Sequence, residues 1–100
     1  VEIVKVALSE YEAAIEGERF AKPVEYQDSR GFIWHAEQLL KQHAGDFEAI
    51  DKARFAEMLA LIGQMQAAWP AAVPPEKPML SVAELSAKVD AFVAAASRFE

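Results

Sequence analysis

The sequence predicts an all-α protein, an antiparallel up-down four-helix bundle. Apolar residues recur at steps of three and four along four segments, glycine or proline separates the segments, and the last one opens on a complete capping box. None of the four can bury its stripe alone, so packing against one another is the simplest solution. One hundred residues with 53% hydrophobic side chains suit one core, so residues 1–100 are read as a single domain.

The first helix, about residues 1–16, carries Val1, Val4, Leu8, Tyr11 and Ile15 in one stripe. Gly17 is its expected stop, since glycine tolerates the left-handed conformation that follows a last turn. Pro23 suits the first turn of a second helix over about 23–43, where its missing N–H is no loss, and Glu25 meets the positive end of the dipole. Its stripe is Phe32, Ile33, Ala36, Leu39 and Leu40, with Gly45 as terminator. Asp46 or Asp51 caps a third helix, about 47–69, whose stripe Phe55, Met58, Leu59, Ile62, Met65 and Trp69 is broken by Pro70. The proline-rich connector 70–80 is semi-rigid and extended. Ser81 and Glu84 form the capping box of the fourth helix, about 82–99, which follows Val82, Leu85, Val89, Phe92, Ala96 and Phe99.

The net charge of −6 falls entirely within residues 1–51, which hold 11 acidic and 5 basic side chains. Such an acidic chain is a poor nucleic-acid partner, because that binding needs lysine and arginine to displace phosphate counterions. The absence of cysteine excludes disulfides, thiolate metal sites and iron–sulfur clusters. No apolar run reaches the ~18 residues that span a bilayer, so direct membrane insertion is not expected. No secretory signal opens the sequence; an exported protein would have had it removed.

The residues without a plain scaffold role lie in EYEAAIEGERFAKPVEYQDSRGF, positions 10–32. In an up-down bundle this stretch wraps one pole, bringing Tyr11 and Glu12 at the end of the first helix beside Glu25 and Asp28 at the start of the second. Carboxylates and phenol oxygens gathered at a helix junction suit hard divalent or ferric ions. The same residues also serve as caps, core aromatics and ion pairs, or as a docking surface. His35, seven positions beyond Asp28, is a further candidate ligand.

Tyr11, Ala14, Ile15, Gly17, Glu25, Tyr26 and Phe32 follow a pattern that resembles the extracytoplasmic segment of bacterial iron/lead permeases of the high-affinity iron-transporter family. The strong part covers about a quarter of the chain. The resemblance implies a periplasmic helical module that accompanies iron uptake, with a membrane iron permease as partner and iron or another divalent cation as the bound ion. The chain has no membrane helix and no Arg-Glu-x-x-Glu motif of the permease channel, so the module is not itself the transporter.

Other constellations point away from chemistry. His35 and His43 stand about 12 Å apart along one helix and cannot share an ion by themselves. No Glu-x-x-His occurs, so the di-iron bundle pattern is missing. Met58 and Met65 sit in a regular apolar stripe, which reads as core packing, and no haem is expected. Trp34 falls opposite the Phe32 and Leu39 stripe, beside Gln27, Gln38 and Lys41, as a candidate contact residue. No nucleophile with a neighbouring base and no glycine-rich phosphate loop is present, so the chain reads as non-enzymatic. Two expectations follow: a periplasmic accessory module with a metal or docking pole at Tyr11, Glu12, Glu25, Asp28 and His35, or a metal-independent interaction module using the acidic half and Trp34.

Overall fold

Four helices carry the fold of the computed structural model, which describes residues 2–16, 19–20, 22–71, 73 and 77–99. They are α1 (Glu2–Ala14), α2 (Pro23–Gln42), α3 (Ala44–Met65) and α4 (Val82–Ala96), with single 3₁₀ turns at Gln66–Ala68 and Ser97–Phe99. α1 packs chiefly on α2 and α3 on α4, and α1–α4 and α2–α3 contacts close the ring. The all-α bundle is elongated, 43 × 22 × 18 Å.

α1 ends two residues earlier than the periodicity suggests. Ile15 and Glu16 leave the helix to pair antiparallel with Phe20 and Arg19. Gly17, the expected stop, lies outside the described residues. The backbone N–H of Lys22 then bonds back to the Ala14 carbonyl (3.2 Å), and α2 opens on Pro23.

α2 ends at His43, whose N–H reaches the Leu39 carbonyl, and not at Gly45. Gly45 lies inside α3, which starts three residues earlier than expected because the His43 carbonyl accepts from both Asp46 and Phe47. α3 is kinked at Asp51, which has extended dihedrals (φ −160°, ψ 93°). Of the two capping candidates, Asp51 holds the bond: its carboxylate accepts from the Arg54 N–H at 3.0 Å and pairs with Arg98 at 3.2 Å. At α4 both halves of the capping box are made, Glu84 N–H to Ser81 Oγ (3.0 Å) and Ser81 N–H to Glu84 Oε1 (3.1 Å).

The buried lines are rotated slightly from the predicted stripes. α1 buries Val4, Ala7, Tyr11 and Ala14, leaving Leu8 and Ile15 half-buried. α2 buries Tyr26, Ser29, Ile33, Ala36 and Leu40; Phe32 is exposed and Leu39 half-buried. Small residues at 7, 14, 29 and 36 lie on the facing lines, and these let two helix backbones approach, which the larger side chains would prevent. α3 and α4 bury Phe55, Met58, Ile62 and Met65 against Leu85, Val89 and Phe92, and Trp69 closes the core after α3.

Candidate functional site

The two poles of the bundle differ in chemistry. At the pole where α1 ends and α2 begins, Tyr11 and Tyr26 are fully buried with their hydroxyls turned to the connector. Tyr11 donates to the Leu80 carbonyl and Tyr26 to the Ala71 carbonyl, each at 2.6 Å. These carbonyls flank the proline-rich segment, whose prolines lack the N–H groups a regular ladder would use, and side chains from α1 and α2 hold its two ends at Ala71 and Leu80.

Beneath the tyrosines, Trp69 meets the Tyr11 ring edge-on (centroids 5.2 Å, 74°). Its indole N–H donates to Ser29 Oγ at 2.6 Å, and the Ser29 hydroxyl donates to the Tyr26 carbonyl at 2.7 Å. Ser29 is wholly buried, and this relay satisfies a polar group that would otherwise cost its full desolvation. Arg30 Nε reaches the Trp69 carbonyl at 3.4 Å while its guanidinium lies 4.3 Å above the Trp34 ring. Trp34 is half-buried in this way instead of standing bare on a polar face.

Electrostatics follow from the packing. Burial pushes the Tyr11 hydroxyl up to about 12, and the neighbouring Tyr26 and Glu84 add to the rise. Burial also raises Tyr26, partly offset by the hydrogen bond to Ala71 and then by Arg30. Both phenols are neutral donors near neutral pH, a state that favours holding a carbonyl over binding a cation.

The sequence-predicted residues are placed as follows. Tyr11 is inside the clasp, Glu25 is half-buried on the first turn of α2, and Glu12, Asp28 and His35 are exposed. Among the described residues, no three of His, Asp and Glu stand close enough to hold a metal ion. Sequence reading did not pair Ser29 with Trp69. The available signal was a serine on an apolar stripe, which needs a buried partner.

The opposite pole, where α2 turns into α3, holds an open cavity of about 440 Å³. Val4, Leu39, Phe47, Met58 and Phe92 line it, and His43 stands at its edge. Phe47 stacks on Phe55 (5.3 Å, 10°) and meets Phe99 edge-on (5.0 Å, 87°). The His43 imidazole is half-exposed, with Nδ1 3.8 Å from the Asp46 carboxylate.

Against known proteins, the chain matches the model of a family described as the iron permease-associated 4-helix bundle domain over residues 1–99. No curated protein and no solved structure matches it.

Proposed function

As the chain belongs to the iron permease-associated 4-helix bundle family, we propose that it is a periplasmic accessory module of iron uptake that docks on a membrane permease through its acidic, clasped pole. The family match over residues 1–99 carries this reading. Among the described residues, no helix is long and apolar enough to cross a membrane, which agrees with a part that works beside the transporting one. A family described by its association with a permease implies no catalytic step, and the reading is non-enzymatic.

The clasp ties Ala71 and Leu80 to the ends of α1 and α2, and the exposed carboxylates of Glu12 and Asp28, with Glu25 on the same end of α2, provide the charge. Unclustered carboxylates attract cations over roughly a Debye length of about 8 Å and release them readily. Any ion contact at Tyr11, Glu12, Glu25, Asp28 and His35 is therefore weak, and docking is the main role.

Capture of the chain by its detergent-solubilised permease tests this. The double charge reversal Glu12→Lys/Asp28→Lys is expected to weaken capture at least tenfold; unchanged capture removes the acidic pole from the interface. Calorimetric titration with Fe²⁺, Fe³⁺, Cu²⁺ and Zn²⁺ tests the ion contact separately. Affinity no tighter than millimolar leaves docking alone, whereas micromolar affinity lost in Glu25→Ala/Asp28→Ala makes the pole an ion site.

A further inference from the structure

We propose that the cavity at the α2–α3 pole is a binding site for a neutral aromatic small molecule. This goes beyond the docking role and does not depend on it. The volume, about 440 Å³, lies within the usual range of small-molecule sites. All four helices contribute to the wall, Val4 from α1, Leu39 from α2, Met58 from α3 and Phe92 from α4, so the space belongs to the bundle interior and not to one helix face.

The lining selects the ligand. Phe47, Phe92 and Phe99 offer ring faces and edges, and the Met58 thioether adds a polarisable contact, a combination that favours aromatic rings over flexible chains. Among the described residues, no lysine, arginine or carboxylate lines the cavity, so a carboxylated ligand such as a fatty acid or haem finds no counter-ion among them. Among the described residues, His43 is the one titratable side chain of the lining.

N-phenyl-1-naphthylamine, a neutral two-ring amine that fluoresces in apolar surroundings, is a direct probe. Titration into the full chain is expected to saturate at one molecule per chain with a Kd of about 10–100 µM. Binding should shift the Met58 methyl resonance and leave Met79, which is exposed outside the cavity, unmoved. Leu39→Trp, which fills the cavity from a half-buried position, should weaken binding at least tenfold. Ile3→Trp from the facing helix gives the same readout should Leu39→Trp lose its helical circular dichroism. Absent saturation, an unmoved Met58 methyl, or affinity unchanged in the folded filling variant overturns the assignment. So does tighter binding of palmitate, or of haemin with a Soret shift lost in Met58→Leu. A chain that sediments as a dimer and excludes the probe also overturns it, because the cavity would then be an interface between copies.

Discussion

The two ends of the bundle use their side chains in opposite ways. At the clasped end, aromatic and hydroxyl groups that look like ligand donors in the sequence are spent inward, on carbonyls and on one another. Tyr11 reaches a carbonyl 69 residues away and Tyr26 one 45 residues away. At the other end the residues look like ordinary core, yet their packing leaves an open apolar space beside a half-exposed imidazole. Donor-rich composition therefore marks a stiffened end, and plain hydrophobic composition marks the end with room for a ligand. The difference arises because the connector needs acceptors satisfied and the α2–α3 turn does not. His43 already receives two backbone donors there.

The largest break in this comparison comes from Trp69, which is 1% exposed and joins Tyr11, Ser29 and Arg30. Trp69→Ala removes that hub and should cost about 3–5 kcal/mol, read as a lower midpoint in urea denaturation. A loss below about 1 kcal/mol would mean that the clasp does not organise its end.

Ser29→Ala asks whether the relay matters beyond packing. It leaves the Trp69 indole N–H without its acceptor in a dry site, and a loss of about 1–3 kcal/mol is expected. Tyr11→Phe spares the ring and strands the Leu80 carbonyl, for about 1–2 kcal/mol. Both variants should also speed proteolytic cleavage in the 70–80 connector, a readout that a general core defect would spread over the whole chain.

Much of this architecture was legible before any coordinates. Steps of three and four placed Tyr11, Phe55, Ile62, Leu85 and Val89 on inward faces, and the Ser81–Glu84 box was readable because both of its bonds are local. The end of the second helix near residue 43 was legible, but its cause was not, since it depends on carbonyl geometry while Gly45 looked like the punctuation. The start of the third helix was left open between Asp46 and Asp51 because, in GDFEAID, only Phe47 packs against the core and Ile50 is exposed. Periodicity put Tyr11 on the core line yet could not say where its hydroxyl goes, because a partner 69 residues away leaves no local trace. The cavity was hidden for a related reason: a void is a property of several packed side chains together, and no one of them announces it.

Alkaline pH gives a smaller effect on the clasped end alone. The Tyr11 proton is held more tightly in the folded chain, with its titration raised from 10.0 to about 12. Between those values the unfolded chain binds fewer protons than the folded one, so stability falls as pH rises. The contribution is complete below pH 10 and gone above about 12, and amounts to no more than about 3 kcal/mol. Tyrosinate absorbance near 295 nm in the Tyr26→Phe background isolates Tyr11; a midpoint near 10 would show that the hydroxyl is not enclosed.

The smallest expected effect decides most about function. Glu12 and Asp28 are exposed at the clasped end, and among the described residues neither belongs to a three-residue metal cluster. Replacing each by alanine should change unfolding free energy by no more than about 0.5 kcal/mol. Glu25, half-buried on the first turn of α2, loses a favourable dipole contact and should cost about 0.3–1 kcal/mol. If the two exposed variants are neutral in urea yet impair permease capture, the carboxylates are kept for recognition and the clasp for shape. Should they destabilise the fold by as much as Ser29→Ala, the charged rim is part of the clasp, and the division between an inward-directed network and an outward-facing acidic surface fails.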